Sequence, residues 1–376
     1  MSTKANDTSA ASAAQPDVAK YDSRMRADAA SQLACEWHSP KEPPFALAGL
    51  AWFQQDRAYR RMPLHPPEPL PEGVNNLANC PSGAQIRFQS NTRLVSVKVK
   101  LAGVADLCHT PATGQCGFDL YIGPPGKQVY ISTTKYDHKL PHYECLLFER
   151  MRLKPENRSF TLNFPFLKGV EDVLVGLEPG ANITPPLPFL RPKPVVIYGT
   201  SITHGGCASR PGMTYTNILS RRLGAEIINL GFGGCGKGEP SVARSIALIP
   251  NPACFVLDYE ANVVDCAHMQ RTLPEFVRIL RASHPTVPLV VVSKVRYSQE
   301  NFNEGPVADR LRCRDFEKSF VEQQRAAGDA SISFLDMGAQ LSEKFSDGTV
   351  DGVHPNDLGF DLMADVFEPV LRKILF

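Results

Sequence analysis

A serine lies just beyond an apolar run in the segment VVIYGTSITHGG, residues 195–206. The run ends on Gly199, and Ser201 comes two residues later, where a helical pattern begins. A serine in this position lies at the carboxyl edge of a strand, near a helix N-terminus that favours developing negative charge. We therefore interpret Ser201 as a candidate nucleophile; the alternative is that its side chain only caps the helix.

An acid–base pair lies near the C-terminus, in the segment DGVHPNDLGF. Asp351 precedes His354 by three residues. A carboxylate at this spacing can accept the imidazole Nδ1–H, fix its tautomer and stabilise the imidazolium. Asp347 is the rival acidic partner, but the Asp-x-x-His spacing favours Asp351. A serine together with such a pair predicts acyl transfer through a serine nucleophile.

Two further segments carry hydrogen-bond donors. The segment NLGFGGCGKG, residues 229–238, is rich in glycine, which lets backbone N–H groups approach a ligand closely. It lacks the Gly-Lys-Ser/Thr ending of a phosphate-binding loop, and it does not follow the first strand as a dinucleotide fingerprint would. Asn262 comes just after the next apolar run, where its amide can donate a hydrogen bond or simply form a turn.

The elements that position these residues alternate between strands and helices. Five apolar segments are each followed by a helical pattern: VVIYG, AEIINLG, ACFVLDYE, PLVVVSKV and SISFLDM. This order predicts a five-stranded parallel sheet with helices on both faces. Ligands bind outside the carboxyl ends of such strands, so the segments above are expected to meet at one edge of the sheet.

The N-terminal half follows a different pattern. Short segments that alternate apolar and polar residues, such as AQIRFQS and RLVSVKVKL, predict an antiparallel β-sandwich of jelly-roll type. The predicted organisation is a disordered tail over residues 1–34, a sandwich over 35–178, a proline-rich linker over 179–193 and an α/β domain over 194–376. The fold class is therefore α/β, preceded by a β-sandwich.

Composition restricts the classes of partner. The 376 residues carry a net charge of +1, with 43% hydrophobic and 21% charged residues, which is typical of a globular protein and argues against nucleic acid or an anionic membrane as partner. The first thirty residues lack the apolar core of a signal peptide, so we predict a cytoplasmic protein. The ten cysteines form no Cys-x-x-Cys pair, and the sequence leaves open whether Cys207 and Cys235 pair with each other. It also leaves the oligomeric state open.

Taken in order, these motifs resemble those of the SGNH/GDSL hydrolases. The branch concerned carries a Gly-x-Asp-Leu-Tyr signature in a preceding β-sandwich, which here is GFDLY, residues 117–121. The resemblance runs from about Trp37 to the C-terminus. The segment YGTSITHGG matches the nucleophile block and DGVHP matches the Asp-x-x-His-Pro block in full, whereas YEAN matches the third block only loosely.

The resemblance implies a three-layer α/β/α hydrolase domain and a role for each candidate. Ser201 would be the nucleophile, His354 the base and Asp351 its partner. The oxyanion would meet the backbone N–H groups of Ser201 and Gly234 and the amide of Asn262. Neither a metal nor another cofactor is implied.

Branches with a preceding sandwich often remove acetyl groups from sugars. We therefore expect a carboxylic ester hydrolase, acting on O-acetyl groups of a carbohydrate or small metabolite. Acyl transfer to an acceptor other than water and a catalytically inactive carbohydrate-binding protein are the alternatives. Arg210 and Tyr121 are candidates for substrate binding, in which case the strand face shared by Asp119 and Tyr121 would form one wall of the cleft. Otherwise Arg210 is structural or solvated, and Tyr121 packs in the sandwich or at the domain interface.

Overall fold

The computed structural model describes residues 18–27, 34–152 and 154–376. Most of the predicted tail, residues 1–17 and 28–33, lies outside the described residues. Between these two segments, helix α1 (Val18–Tyr21) and a 3-10 turn (Ser23–Met25) are present.

Two antiparallel sheets form a sandwich in the N-terminal half, as predicted. Their strands are β1 (Glu36–His38), β2 (Ala46–Ala48), β3 (Gln85–Ser90), β4 (Leu94–Leu101), β5 (Asp119–Ile122), β6 (Val129–Thr133), β7 (His142–Glu149), β8 (Arg158–Asn163), β9 (Val170–Leu177) and β10 (Ile183–Thr184). One sheet has the order β1-β9-β4-β7, and the other has the order β10-β3-β8-β5-β6 with β2 added beside β3. Apolar side chains on the facing sides of the two sheets, such as Val97, Phe88 and Phe160, form one buried cluster.

Short helices occupy the connections of this half: α2 (Phe53–Asp56), α3 (Glu72–Leu77) and α4 (Ala112–Gln115). Part of the segment predicted as a linker has regular structure. Strand β10 pairs with β3, and the ladder ends where Pro185 and Pro186 follow, since proline has no N–H to donate.

A five-stranded parallel sheet forms the C-terminal half and confirms the α/β prediction. Its strands are β11 (Arg191–Gly199), β12 (Ala225–Gly231), β13 (Cys254–Asp258), β14 (Leu289–Val292) and β15 (Ile332–Leu335), in the order β12-β11-β13-β14-β15. The register pairs Gly199 with both Gly231 and Asp258, so three strands end side by side. The connections that follow them therefore meet at one edge of the sheet.

Helices cover both faces of this sheet: α5 (Ser201–His204), α6 (Tyr215–Leu223), α7 (Pro240–Ile246), α8 (Cys266–Ser283), α9 (Glu304–Ala326), α10 (Met337–Gln340) and α11 (Asp357–Leu375). Further 3-10 turns are Pro211–Met213, Glu260–Asn262, Ser298–Asn301 and Glu343–Phe345. Alternate residues of β11 serve different cores: Val195 and Ile197 pack with α6 and α11, whereas Val196 and Tyr198 pack with α7 and α8. No helix of the described residues is both long enough and apolar enough to cross a bilayer.

The segment between β2 and β3 joins the two halves. Trp52, Met62 and Val74 belong to the same buried cluster as Tyr198 and Phe232 of the parallel-sheet half. Since these side chains are buried against the second half, the N-terminal half contributes to the core beneath the sheet edge as well as forming a sandwich of its own.

Candidate active site

Ser201 is the first residue of α5, one position after the strand–helix corner. A side chain at Gly199 would collide with Thr203 Oγ1 and would lie 2.6 Å from Asp258 O, so only glycine fits this corner. The Thr200 side chain caps the helix by accepting a hydrogen bond from Ile202 N at 3.2 Å. Because Thr200 does the capping, the Ser201 hydroxyl is left for another partner.

That partner is the candidate base. Ser201 Oγ lies 2.9 Å from His354 Nε2, and His354 Nδ1 lies 2.7 Å from Asp351 Oδ2. The rival acid, Asp347, instead presents its main-chain carbonyl to the Asn356 side chain at 3.3 Å. The structure therefore joins Ser201, His354 and Asp351 in one continuous series of hydrogen bonds, which we call the hydrogen-bonded row.

Asp351 stands in an environment that favours its charged form. Its partial burial acts to raise the pKa, but hydrogen bonds from the main chain and ring of His354 and from Val353 N outweigh this effect. The resulting pKa of Asp351 is about 2. A carboxylate with this pKa is ionised at neutral pH and can accept the Nδ1–H of His354.

The glycine-rich loop, residues 231–236, lies beside Ser201. A side chain on Gly233 would come within 3.4 Å of Ser201 Cβ, and Gly234 has a φ of 67° that favours glycine. Among the described residues, no acceptor is bonded to the backbone N–H of Ser201 or of Gly234. Both N–H groups are thus available to a ligand.

Asn262 lies next to this loop, at the end of the 3-10 turn that follows β13. Its side-chain nitrogen donates to Phe232 O and to Gly236 O, both at 3.1 Å. The amide therefore ties the two ends of the glycine-rich loop together. As an oxyanion donor it would have to give up one of these two bonds.

A small cavity opens at the Ser201 hydroxyl; we call it the serine cavity. Its volume is about 140 Å³. The N-terminal half supplies five of its lining residues, Leu77, Leu107, His109, Thr110 and Leu167, and the C-terminal half supplies Ser201, His204, Gly206, Gly233 and His354. A larger cavity of about 760 Å³ lies on the sandwich, between Lys98 and Glu171, and contains none of the candidate catalytic groups.

Arg61 supports the floor of this site and was not identified from the sequence. It is fully buried, and its guanidinium donates to Gly231 O at 2.6 Å and to Cys80 O at 2.6 Å. It also lies 3.3 Å from Nε2 of His204, whose pKa is lowered well below its usual value by burial and then by the Arg61 charge. The motif RRMP gives no local signal of this role, because the contacts join residues far apart in the chain.

The predicted substrate-binding pair, Arg210 and Tyr121, does not lie at the serine cavity. Arg210 donates to Asp119 Oδ2 at 2.8 Å and to Tyr121 Oη at 2.5 Å, and Asp119 also accepts from Gly212 N at 2.8 Å. Asp119 is fully buried, so it requires a cation, and Arg210 supplies one across the domain interface. Tyr121 therefore contacts Arg210 at the domain interface, and a substrate-binding role for Arg210 and Tyr121 stays a prediction.

The two cysteines of the site are free thiols. Cys207 is buried, and the Thr110 hydroxyl lies 3.6 Å from its sulfur. Cys235 is half-buried and lies against Gly73 of the N-terminal half. No disulfide joins them in this structure.

A serine, histidine and aspartate at the carboxyl edge of a parallel sheet, beside free backbone N–H groups, define the class of serine acyl hydrolases and acyltransferases. Residues 192–372 match the model of the GDSL-like lipase/acylhydrolase family, and residues 35–183 match that of the GxDLY domain, the N-terminus of SGNH-hydrolase-type esterases. The chain belongs to the SGNH/GDSL hydrolases, in the branch with an N-terminal GxDLY domain.

Solved structures with a similar fold cover nearly the whole chain. A protein described as a GDSL-like lipase from Bacteroides ovatus ATCC 8483 is 29% identical with a TM-score of 0.80, over 91% of this chain and 98% of that one. The salicylyl-acyltransferase SsfX3 of a tetracycline biosynthetic pathway is 21% identical with a TM-score of 0.72, over 90% and 97%. A family two carbohydrate esterase from Cellvibrio japonicus is 14% identical with a TM-score of 0.57, over 91% and 98%. No curated protein is significantly similar in sequence.

Proposed function

We propose that this protein is a serine esterase that hydrolyses short-chain acyl esters, with O-acetyl groups on a carbohydrate or small metabolite as its substrate class. The observation that carries the proposal is the hydrogen-bonded row from Ser201 through His354 to Asp351, with distances of 2.9 and 2.7 Å. The row ends at a cavity large enough for a small acyl group.

The reaction begins when Ser201 Oγ attacks the ester carbonyl. His354 Nε2 takes the hydroxyl proton, and the Asp351 carboxylate holds the Nδ1–H and stabilises the imidazolium. The tetrahedral intermediate collapses as His354 returns the proton to the leaving alcohol, which leaves an acyl-enzyme on Ser201. Water, deprotonated by His354, then releases the acid and restores the free serine.

The negative charge of the intermediate needs donors at the glycine-rich loop. We assign the backbone N–H groups of Ser201 and Gly234 to this task, because neither is bonded to an acceptor among the described residues. Asn262 is the third donor, and one of its amide hydrogens turns from a loop carbonyl to the oxyanion during the reaction. In the resting enzyme the same amide holds the loop in place.

The size and lining of the serine cavity support a short acyl chain. Its volume of about 140 Å³ is below the roughly 300–1,000 Å³ typical of sites for drug-sized ligands. Leu77, Leu107 and Leu167 give it an apolar wall that suits a methyl group. The carbohydrate part of the proposal rests on likeness of fold to carbohydrate esterases, and fold alone does not determine substrate.

Acyl transfer to an acceptor other than water is the second candidate. It is supported by the TM-score of 0.72 with a salicylyl-acyltransferase, compared with 0.57 for the carbohydrate esterase. Both reactions share the acyl-enzyme, so they differ only in which acceptor reaches Ser201.

An ester panel tests the proposal. Aryl esters from acetyl to octanoyl and acetylated sugars are assayed with and without competing alcohols, and hydrolysis of the acetyl esters should be fastest. Transfer products that form in preference to free acid would favour the second candidate.

Ser201→Ala should lower kcat by at least about 10⁴-fold and abolish labelling by an organophosphorus probe, whereas Ser283→Ala, at an exposed serine, should change neither. Labelling that persists in Ser201→Ala would place the nucleophile elsewhere.

A further inference from the structure

His109 lies beside the candidate base but belongs to the other domain. It comes from the connection between β4 and α4 and lines the serine cavity. Its ring lies edge-on to that of His354, with centroids 6.0 Å apart and planes at 68°. Among the described residues, no hydrogen bond holds the His109 side chain. The His109 imidazole thus lies beside the His354 imidazole, and its ring nitrogens are available to bind a ligand.

A third ligand completes the group. His109, His354 and Asp351 can each place one ligand atom within 4.8 Å of the others. Two imidazole nitrogens and a carboxylate oxygen are ligands that zinc takes in proteins, with a water in the fourth position of an open site. We propose that these three residues form a binding site for Zn²⁺, and that zinc bound there inhibits the enzyme reversibly.

The geometry requires only a small adjustment. Ligand atoms at 2.0–2.1 Å from a tetrahedral zinc are about 3.3 Å apart, so the widest pair has to approach by roughly 1.5 Å. His109 is half-buried and unbonded, and its side chain can make this movement by rotation. Asp351 and His354 are already in contact at 2.7 Å.

Zinc bound at this site prevents His354 from acting as a base, whichever of its two ring nitrogens coordinates the metal. A metal on Nε2 occupies the lone pair that accepts the Ser201 proton. A metal on Nδ1 replaces the hydrogen bond to Asp351 and leaves the ring proton on Nε2, which then cannot accept another. Inhibition in this sense rests on the proposed function, whereas binding of the metal does not.

The ligand set also determines which ions should act. Mg²⁺ and Ca²⁺ prefer oxygen ligands and higher coordination numbers, so a site with two imidazoles selects against them. Cys108 is a rival ligand, since it is exposed and directly precedes His109 in the sequence. A thiolate at that position would bind zinc without involving His354.

The experiment measures metal binding and inhibition in the full chain. Zn²⁺ is titrated calorimetrically and Co²⁺ by its visible absorption, with wild type, His109→Asn and Cys108→Ser. Aryl acetate hydrolysis is then assayed in buffered Zn²⁺, each variant relative to its own metal-free rate, with Mg²⁺ and Ca²⁺ as control ions. Chelator is added at the end to test whether activity returns.

The proposal predicts one binding site and zinc inhibition that the chelator reverses. His109→Asn should raise both the dissociation constant and the inhibition constant at least about tenfold, and Cys108→Ser should leave both within twofold. Three results would each overturn the proposal. They are zinc inhibition of equal potency in His109→Asn, loss of zinc binding in Cys108→Ser, and no zinc binding to wild type at 100-fold molar excess. If the protein proves to have no esterase activity, the proposed function fails, while the calorimetric and Co²⁺ arms still decide whether the site exists.

Discussion

Two arginines cross the interface between the domains in opposite directions. Arg61 comes from the N-terminal half and ends on carbonyl oxygens at the floor of the candidate site, including Gly231 O at 2.6 Å. Arg210 comes from the C-terminal half and ends on a sandwich carboxylate, Asp119, at 2.8 Å. Both side chains are largely removed from water, but their partners differ in charge.

This difference in partners changes the pKa values of the two guanidinium groups in opposite directions. Burial lowers the pKa of Arg61 to about 10, since its partners are mostly neutral carbonyls. Burial acts in the same direction on Arg210, but the Asp119 charge and the Tyr121 contact raise its pKa above the usual value. An arginine paired with a carboxylate therefore fixes one domain on the other, whereas an arginine bonded to carbonyls holds a loop of the site.

Asp119→Ala should give the largest effect on stability. It leaves the Arg210 guanidinium without its counterion in a site that is largely buried, at a cost of about 3–5 kcal/mol in the free energy of unfolding. The enzyme that remains folded should keep kcat and KM within twofold, because neither Asp119 nor Arg210 lines the serine cavity. Urea unfolding and steady-state kinetics measure the two quantities.

The control for that variant is Asp106→Ala, which breaks the exposed pair with Lys168. It should cost no more than about 1 kcal/mol. If Asp119→Ala proved as mild as this control, or if it lowered kcat tenfold, the Asp119–Arg210 pair would not be the purely structural contact described above.

Asn262→Ala should give the next effect, on turnover. It removes both the proposed third oxyanion donor and the bonds to Phe232 O and Gly236 O. We expect kcat to fall by about 10²–10³, which is roughly 2.7–4 kcal/mol, with KM little changed. An unchanged kcat with a raised KM would instead make Asn262 a substrate-binding residue.

Arg61→Met should affect stability and turnover together, and this separates it from Asp119→Ala. It removes the guanidinium donor of the buried Gly231 carbonyl, at about 1–3 kcal/mol of stability, whereas Cys80 O keeps its hydrogen bond from Ser82 N. Because Gly231 begins the glycine-rich loop, we expect kcat to fall about tenfold in fully folded enzyme. If stability fell as expected but kcat were unchanged, Arg61 would not contribute to the geometry of the candidate active site.

The double variant Arg61→Met/Asn262→Ala tests whether the two side chains act on turnover through the same loop. Arg61 and Asn262 both donate hydrogen bonds to carbonyls of the glycine-rich loop, so their effects on kcat should be less than additive. Additive effects would mean that the two side chains act on turnover independently.

The last effect concerns the pH dependence of stability at Asp258, a partly buried carboxylate that has no arginine partner. Asp258 accepts hydrogen bonds from Tyr215 at 2.9 Å and Thr203 at 3.1 Å, and burial raises its pKa to about 7. An unfolded aspartate titrates near 3.9, so the native state binds the extra proton between about pH 4 and 7. Stability should therefore fall as pH rises through this range, by at most about 1.4 kcal/mol per pH unit for this group.

Asp258→Asn removes this titration. Its free energy of unfolding, measured in urea from pH 4.5 to 7.5, should fall less steeply with rising pH than that of wild type. Part of the slope should remain, because burial also raises the pKa of Glu260 to about 7. Parallel profiles for the two proteins would show that Asp258 does not change its protonation on unfolding.

Much of the fold was predictable because its signals are local. The apolar runs that become β11 to β15 alternate with helical patterns, and this order alone predicts a parallel sheet. The Asp-x-x-His spacing and the Gly199 corner are equally local, and the predicted row of Ser201, His354 and Asp351 is hydrogen-bonded in the structure. Their catalytic roles remain the proposal that the variants above test.

The sequence by itself thus determined the two architectures, the order of the blocks and the residues gathered at the sheet edge, because periodicity and short spacings specify them. Only the tertiary structure decided what surrounds those residues. Arg61 and Gly231 are 170 positions apart, and Arg210 and Asp119 are 91 apart. No local pattern marks such pairs, since a buried cation or carboxylate acquires its partner from whichever strand or loop packs against it. For the same reason no sign in the sequence indicated that His109 lies beside His354, or that Arg210 and Tyr121 contact each other.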